Sequence, residues 1–235
     1  MSKLVEVMES EGINLTEDTL KNFEKFRNIV LETNKYLNLT SITEENEFNY
    51  KHFLDSLLPL SKIKLKENSK LIDIGTGGGF PGIPIKLYRD DLDITLLDSL
   101  NKRIKFINNT ISEMKLTNII GIHGRAEELG RQKDYREKYD YAISRAVSRL
   151  NTLAEYSLPF IKVGGIFISM KGPSGREEAE EAKNAINTLG CKIIDIIEYE
   201  LDFEDSERSL IIIKKISPTP NKYPRGGGKP KSKPL

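Results

Sequence analysis

Residues that form disulfides or bind metals are scarce in this sequence. Its 235 residues include one cysteine, Cys191, and two histidines, His52 and His123. A single cysteine excludes an internal disulfide and fits a reducing compartment. So few thiols and imidazoles also argue against a zinc site built by the protein. We therefore expect neither a disulfide nor a metal centre.

Long hydrophobic runs are also missing. The apolar runs are short, such as Leu210–Ile213, whereas a helix that spans a bilayer needs roughly 20 apolar residues. The N-terminal MSKLVEVMESEG has acidic residues where a signal peptide needs an apolar stretch. The P-loop pattern G-x-x-x-x-G-K followed by Ser or Thr is absent. These absences predict a cytoplasmic protein without a membrane partner and argue against a P-loop NTPase.

Positive charge is concentrated near the C-terminus. Residues 214–235 contain seven basic side chains and no acidic one, which leaves 29 basic against 35 acidic residues elsewhere. A basic tail commonly engages nucleic-acid phosphate, and Lys222 and Arg225 are the candidate substrate contacts. Five prolines and three glycines among the last 19 residues predict an extended tail without a core, residues 217–235. The alternative is a disordered tail that only aids solubility.

The order of hydrophobic patterns predicts the fold. Residues 1–65 have helical patterns, with Thr16 as an N-cap and a second helix from about Glu44 that ends near Pro59. Residues 66–216 contain seven short apolar runs, most of them separated by helical patterns but the last two not. Alternating strands and helices form a doubly wound parallel sheet, and strands without a crossover helix form a hairpin. The sequence predicts an α/β fold with a doubly wound, mostly parallel, seven-stranded, Rossmann-like sheet, an antiparallel strand near its edge and an N-terminal helical extension.

The strongest local signal follows the first apolar run. It reads Asp73-Ile74-Gly75-Thr76-Gly77-Gly78-Gly79-Phe80-Pro81-Gly82. Glycines allow positive φ and close approach of a ligand, and a strand, a glycine turn and a helix suit a nucleoside-containing cofactor at the carboxyl edge of a sheet. The segment satisfies the dinucleotide fingerprint G-x-G-x-x-G, from Gly77 to Gly82. It also satisfies the acidic-x-G-x-G-x-G pattern of S-adenosylmethionine methyltransferases, from Asp73 to Gly79.

Asp73 favours the methyltransferase pattern. A carboxylate at a strand tip can pair with the ammonium of the cofactor's methionine part, whereas it would repel a pyrophosphate. The predicted hairpin also favours a methyltransferase, because dinucleotide-binding sheets are usually parallel throughout. Asp98 ends the second strand, at the position where an acidic residue binds the ribose hydroxyls of a nucleotide. Both the dinucleotide pattern and the methyltransferase pattern allow this role. The alternative role of Asp98 is to cap the following helix. The predicted cofactor contacts from this part of the chain are Asp73, Gly75, Gly77, Gly79 and Asp98.

Further motifs lie at the ends of the predicted elements. They are NLTSI at 38–42, HFLDS at 52–56, DSLNKR at 98–103, GRAE at 124–127, SRA at 144–146, MKG at 170–172 and TPNKYPR at 219–225. With the glycine segment they resemble the glucose-inhibited division protein B family, bacterial methyltransferases of N7 of a guanine in small-subunit (16S) ribosomal RNA. The resemblance covers almost the whole chain. It implies the same activity, S-adenosylmethionine as the cofactor and ribosomal RNA, naked or in an assembled subunit, as the partner.

The resemblance also implies roles for single residues. The implied cofactor pocket comprises Gly75, Phe80, Ala126, Glu127 and Arg145. Arg145, at the end of the fourth strand, would also hold a phosphate or a guanine edge and is the candidate catalytic residue; its alternative is an ion pair with a carboxylate. Lys171 ends the fifth strand at the same rim and is a further candidate substrate contact. A lysine that is only exposed to solvent is an equally good interpretation. Glu127 has the alternative role of an acid in the first turn of a helix.

The implied chemistry needs no general base. Guanine N7 has an in-plane lone pair and no proton, so catalysis would rest on alignment and electrostatics. A-form RNA hides N7 in a deep, narrow groove, and the target guanine is therefore expected to be unpaired or flipped out. Two alternative functions stay open: that of a nicotinamide-dependent oxidoreductase and that of a non-catalytic RNA-binding protein with a vestigial fold. The roles of His52, Lys102 and Arg103 also stay open.

Overall fold

The N-terminal part of the protein is helical. The computed structural model describes residues 2–201 and 206–235. The first helices are α1 (Ser2–Ser10), α2 (Glu17–Asn34), α3 (Glu45–Phe48), a π-helical segment (Asn49–Leu54) and α4 (Asp55–Lys62), the last three of which are continuous. Thr16 caps the N-terminus of α2, as predicted, because Thr16 Oγ1 accepts a hydrogen bond from Thr19 N at 3.1 Å. Within the described residues, no helix has both the length and the apolar character needed to cross a membrane.

The second predicted helix is present, and it begins at Glu45 and ends at Lys62, three residues beyond Pro59. A proline removes one helical hydrogen bond, but the neighbouring Leu57 and Leu58 are buried, and their burial outweighs that loss. The π-helical segment just before α4 could not be predicted from the pattern of apolar residues. Such wide turns often occur at functional sites, and this one contains a buried histidine, His52.

The sheet has seven strands in the order β3-β2-β1-β4-β5-β7-β6. The strands are β1 (Lys70–Ile74), β2 (Asp93–Asp98), β3 (Ile119–His123), β4 (Tyr139–Arg145), β5 (Ile161–Lys171), β6 (Cys191–Leu201) and β7 (Ser206–Lys215). The helices among them are α5 (Gly82–Tyr88), α6 (Asn101–Glu113), α7 (Ala126–Leu129), α8 (Leu150–Ser157) and α9 (Gly175–Thr188). The chain order reverses between β1 and β4, and ligands bind at such a switch point in open α/β sheets.

The β7 strand is reversed within the sheet. It pairs antiparallel with both β5 and β6, whereas β1 to β5 pair in parallel. It therefore lies between the parallel strands and the edge strand β6. The predicted fold class is confirmed, including the hairpin of the last two strands and the antiparallel strand near the edge.

Both faces of the sheet are covered, which explains the continuous apolar runs of its strands. Side chains alternate between the two faces along a strand. In β7, Leu210 and Ile212 join one hydrophobic core, while Ile211 and Ile213 join the other. The first core includes side chains of α1, α2 and α4, so the N-terminal helices share a core with the sheet. The domain boundaries at residues 65 and 216 stay predictions.

Residues 217–235 fold back onto the domain, and we call them the C-terminal strap. Tyr223 and Pro230 of the strap are buried. Arg136 donates to Thr219 O at 2.6 Å and to Tyr223 O at 2.8 Å. The strap ends in a short helix, α10 (Lys229–Ser232). The prediction of an extended tail without a core is wrong, because contacts with residues more than 80 positions earlier hold the strap.

Candidate active site

The glycine-rich segment forms the turn between β1 and α5. Gly75, Gly77 and Gly79 have φ of +74°, +60° and +94°, a region that glycine reaches without steric cost. Gly75 N donates to Leu97 O at 2.8 Å, which joins the turn to the end of β2. A Cβ atom at Gly75 would lie 2.5 Å from Val147 Cγ2. The turn therefore needs glycine here for two reasons, backbone conformation and space.

Asp73, the acidic residue of this segment, faces the interior. Its side chain is fully buried, and Asp73 Oδ2 accepts a hydrogen bond from Gly82 N at 3.0 Å. Burial raises the pKa of Asp73 to about 7, because loss of water disfavours the charged carboxylate. Through this bond the carboxylate holds the start of α5 against β1, which fixes the shape of the glycine turn. The expected contact between Asp73 and a cofactor ammonium stays a prediction.

Asp98 connects the turns that follow β1 and β2. Its Oδ2 accepts from Gly77 N at 3.0 Å, and its Oδ1 accepts from Leu100 N at 2.8 Å. Arg103 Nη1 lies 3.4 Å from Asp98 Oδ2, so Arg103 faces this carboxylate. Asp98 also borders the cleft described next. One side chain thus caps the turn before α6 and is placed to meet a ligand.

A cleft of about 410 Å³ opens beside the carboxyl ends of β1, β2 and β3, and we call it the glycine-turn cleft. Its volume lies within the usual range for small-molecule sites, about 300–1,000 Å³. Four predicted cofactor residues line it: Gly75, Asp98, Ala126 and Glu127. Ala126 and Glu127 begin α7, and Arg125 Nη1 lies 3.6 Å from Glu127 Oε1. The structure thus gathers residues from three strand ends into one space.

A second space of about 590 Å³ lies at the carboxyl ends of β4 and β5, and we call it the arginine cavity. Arg145 and Lys171 line it, together with residues of the π-helical segment. Val147 lines both the arginine cavity and the glycine-turn cleft, so the two spaces adjoin at this residue. Ala146, just before it, has φ of +55°, which costs a non-glycine residue about 1 kcal/mol. The chain therefore turns sharply where the two spaces meet.

Arg145 is held by groups of the N-terminal helices. Its Nη1 donates to Asp55 Oδ2 at 2.7 Å and to Lys51 O at 2.9 Å, and its Nη2 donates to His52 Nδ1 at 3.2 Å. The ion pair with a carboxylate, the alternative role, is therefore present, and it joins residues 90 positions apart. A guanidinium has five N–H donors, and these contacts use three. Arg145 also lines the arginine cavity.

His52 supports Arg145 as a neutral ring. Since Nδ1 accepts from Arg145, the proton lies on Nε2, which donates to Thr40 Oγ1 at 2.8 Å. Burial, with the charge of Arg145 second, lowers the pKa of His52 to about 3. The ring also stacks on Phe80 with 4.2 Å between ring centres. His52 is thus fixed in one tautomer and carries no charge near neutral pH.

Phe80 lies in an aromatic cluster, although the resemblance implies a cofactor contact for it. Its ring centre is 5.2 Å from that of Phe26 and 5.8 Å from that of Phe48. The side chain is buried and does not line the glycine-turn cleft. Arg145 Cζ lies 5.5 Å from the Phe80 ring centre. Phe80 therefore packs beneath His52 and Arg145 and supports their positions.

Lys171 lies in the arginine cavity within a buried ion pair. Its Nζ is 2.8 Å from Glu178 Oε2 and donates to Ser148 O. The side chain is 7% exposed, so the alternative of a solvated lysine is wrong. Because Ser148 directly follows Val147, Lys171 braces the turn between the two spaces.

The two predicted substrate contacts of the C-terminal strap lie outside both spaces. Arg225 Nη2 donates to Glu155 Oε2 at 2.6 Å, and Arg225 Nε donates to Glu155 Oε1 at 3.0 Å. The Glu155 side chain is 1% exposed, so Arg225 neutralises a buried carboxylate, and its contact with RNA stays a prediction. Lys215 Nζ is also buried, 3.0 Å from Glu137 Oε1. Lys222 is exposed, with its Nζ 5.2 Å from the ring centre of Tyr223, and its RNA contact stays a prediction.

Six charged residues that line the two spaces are missing from the sequence-based prediction. They are Lys51, Asp55, Glu178 and Arg208 in the arginine cavity and Arg125 and Lys231 in the glycine-turn cleft. Asp55 lies between two arginines, because Arg208 Nε is 3.7 Å from Asp55 Oδ1. Lys51 and Asp55 are four positions apart, a spacing that signals a shared helical face. Nothing in the sequence connects Arg208 or Lys231 with the site.

The sheet order, the reversed β7 strand and the glycine turn at the carboxyl edge define a Rossmann-like fold of the kind that methyltransferases have. Among solved structures, M. jannaschii TYW2 in complex with AdoMet is similar, with a TM-score of 0.57, 16% identity and coverage of 77% of this chain and 81% of that chain. The predicted O-methyltransferase Atu636 from Agrobacterium tumefaciens gives a TM-score of 0.53, 17% identity and coverage of 70% and 80%. At these identities the similarity shows the fold alone.

Sequence comparison defines the family. Residues 19–205 match the profile of the GidB family, described as rRNA small subunit methyltransferase G. The ribosomal RNA small subunit methyltransferase G of Alkaliphilus oremlandii is 48% identical over 228 residues, 96% of this chain and 95% of that protein. The one from Desulforamulus reducens is 50% identical over 222 residues, 94% of this chain and 92% of that protein. The chain therefore belongs to the rRNA small subunit methyltransferase G family, which confirms the resemblance, the methyltransferase class and S-adenosylmethionine as the cofactor.

The glycine-turn cleft fits this cofactor. Gly75 exposes its backbone to the cleft without a side chain, and Asp98 places a carboxylate at the end of β2. Ile74 and Leu97 add apolar surface to the lining. Within residues 2–201 and 206–235, no group of three or more His, Cys, Asp and Glu side chains is arranged to hold a metal ion.

Proposed function

We propose that this protein transfers a methyl group from S-adenosylmethionine to N7 of a guanine in bacterial small-subunit ribosomal RNA. The observation that carries the proposal is the junction of two spaces at Val147, one with the glycine turn and the other with Arg145. A methyl donor in the first space and a base in the second would be separated by a single side chain. Membership of the family supports ribosomal RNA as the source of that base.

The glycine-turn cleft is the proposed cofactor site. S-adenosylmethionine supplies a methyl group activated by a positively charged sulfur. We assign the ribose hydroxyls to Asp98 and the adenine to the start of α7, at Ala126 and Glu127, by their positions along the cleft. Gly75 and Gly77 keep the turn free of side chains. Asp73 and Phe80 act as positioning residues, because their side chains are buried behind the turn.

The arginine cavity is the proposed base site. Its charged lining has more positive than negative groups: Lys51, Arg145, Lys171 and Arg208 against Asp55 and Glu178. This excess favours a nucleotide with its phosphate. Arg145 is the candidate catalytic residue, since its two remaining N–H donors can bind a guanine edge. Donation to guanine O6 would leave the N7 lone pair free to attack.

The chemistry of the cavity suits a nucleophile that carries no proton. His52 uses both ring nitrogens, and its pKa is lowered to about 3. Asp55 pairs with Arg145 and lies close to Arg208. Neither group is arranged as a general base, and N7 needs none because it carries no proton to remove. A regular RNA helix would keep N7 out of reach, so the proposal requires an unpaired or flipped-out guanine.

The test is transfer of tritiated methyl from S-adenosylmethionine to small-subunit RNA that lacks the modification, both naked and in the assembled subunit. We expect label on one guanine that becomes sensitive to N7-specific cleavage. Label on an exocyclic amine or on a ribose would overturn the N7 assignment. Label on neither form of RNA would overturn the substrate.

The site assignment is tested by substitution. Arg145→Ala and Arg145→Lys should each lower methyl transfer by about 100-fold or more, because misplacement of a reactant by 1 Å has that effect. Binding of S-adenosylhomocysteine should be retained. Arg149→Ala is the matched control, because Arg149 is an exposed arginine four positions later whose Nη2 pairs with Glu181 at 2.6 Å. Equal activity of the Arg145 and Arg149 variants would contradict the assignment.

A further inference from the structure

The C-terminal strap reaches the glycine-turn cleft. Lys231, in the short helix α10, is one of the residues that line the cleft. It lies there with Tyr156 of α8 and with Ala126 and Glu127 of α7. A segment that composition describes as a basic, Pro/Gly-rich tail thus supplies part of a wall of the proposed cofactor site.

The strap is held at this position by α8. Arg225 pairs with the fully buried Glu155 of α8, and Arg225 N also donates to Glu155 Oε1 at 2.6 Å. Thr152 Oγ1 donates to Pro230 O at 3.2 Å, directly before Lys231. Thr152, Glu155 and Tyr156 lie three and four positions apart, and therefore on one face of α8. The same face of the helix holds the strap and borders the cleft.

We propose that Lys231 is a cofactor-binding residue that contacts the adenosine part of S-adenosylmethionine. The inference rests on the proposed function, which places the cofactor in the glycine-turn cleft. Tyr156 and Glu127, which line the cleft together with Lys231, belong to α8 and α7. A lysine ammonium has three donors and no acceptor. Adenosine offers ring nitrogens and ribose oxygens as acceptors, so the two are complementary.

The assignment gives the strap a different role from that of an RNA-binding arm. Of its basic residues, Arg225 is used in the ion pair with Glu155. Lys231 lines the glycine-turn cleft. Removal of Lys231 should therefore weaken cofactor binding and leave RNA binding unchanged. An RNA-binding arm would show the opposite result.

Calorimetry with two ligands tests the proposal. S-adenosylhomocysteine carries adenosine and an amino-acid part, whereas 5′-methylthioadenosine lacks the amino-acid part. Lys231→Ala should weaken both by a similar factor of about 3 to 10, the value of one hydrogen bond at a partly exposed site. Lys229→Ala is the matched control, because it removes the same charge from the same helix outside the cleft lining. The Lys229 variant should bind both ligands as the unaltered protein does.

The outcomes separate the hypotheses. Equal affinities for the two variants would overturn the role of Lys231 and leave the proposed function intact. A loss for S-adenosylhomocysteine alone would overturn the adenosine assignment, since Lys231 would then serve the amino-acid part. A higher KM for RNA with an unchanged KM for S-adenosylmethionine would identify an RNA-binding strap and overturn the proposal. Failure of the unaltered protein to bind either ligand would overturn the cofactor site and this inference together.

Discussion

The ion pair between Arg225 and Glu155 allows a sharp test of what burial does to an electrostatic contact. A second pair in the protein, Arg176 with Glu198, has nearly the same geometry: Nε to Oε1 and Nη2 to Oε2 at 3.0 and 2.8 Å, against 3.0 and 2.6 Å for Arg225. Exposure differs. The Glu155 side chain is 1% exposed, whereas that of Glu198 is 54% exposed.

The expected result is a large difference between two chemically identical substitutions. Arg225→Ala leaves a buried carboxylate without its cation, which costs about 3 to 5 kcal/mol. Arg176→Ala breaks an exposed pair, for which the cost is about 0 to 1 kcal/mol. For a protein of this size, each kcal/mol lowers Tm by about 2 to 4 °C. We therefore expect Tm to fall by roughly 6 to 20 °C for Arg225→Ala and by at most about 4 °C for Arg176→Ala.

Urea unfolding and a thermal scan of both variants measure these changes. The double variant Glu155→Gln with Arg225→Ala supplies the internal control, because the neutral amide removes the unpaired charge. It should be more stable than Arg225→Ala alone, which a double-mutant cycle quantifies. Equal destabilisation by Arg225→Ala and Arg176→Ala would refute the reasoning, since geometry and not burial would then set the cost.

The remaining predictions concern the two spaces. Gly75→Ala should weaken S-adenosylhomocysteine binding at least about 10-fold in calorimetry, because its Cβ would lie 2.5 Å from Val147 at a φ of +74°; unchanged affinity would contradict the role of the turn. The pKa of His52 is lowered from 6.5 to about 3 in the folded protein. As pH falls between these two values, His52 is protonated in the unfolded chain but not in the folded protein. The free energy of unfolding therefore decreases, by roughly 2 kcal/mol between pH 6.5 and 5. Urea unfolding of His52→Gln should lack that part of the pH dependence, and a dependence equal to that of the unaltered protein would refute the lowered pKa. Arg208→Ala should raise KM for RNA and reduce its salt dependence at constant cofactor affinity, measured by methyl transfer at several salt concentrations; an unchanged KM would exclude Arg208 from the base site.

The fold could be predicted from the sequence because its signals are local. Apolar runs mark strands that are buried on both faces, and the lack of a helical pattern between the last two runs predicts the reversed strand β7. Thr16 is recognisable as an N-cap because the hydrogen bond that it accepts comes from a residue only three positions later. Each of these features depends on neighbours within one element.

The structure gives several predicted site residues partners that the sequence does not reveal. The carboxylate of Asp73 accepts a hydrogen bond from Gly82 N at the start of α5. Phe80 is drawn into a cluster with Phe26 and Phe48 from the N-terminal helices. Arg225 meets a carboxylate 70 positions earlier. Composition and motif spacing carry no information about such partners.

The turn at Ala146 and Val147 has a thermodynamic consequence. Since Val147 borders both spaces, a ligand that displaces this turn on entering one space alters the other. Cofactor and RNA affinities are then coupled, and linkage requires that each ligand change the affinity of the other by the same factor. The coupling is carried by the turn at Ala146 and Val147, because a displacement of Val147 in one space also displaces it in the other.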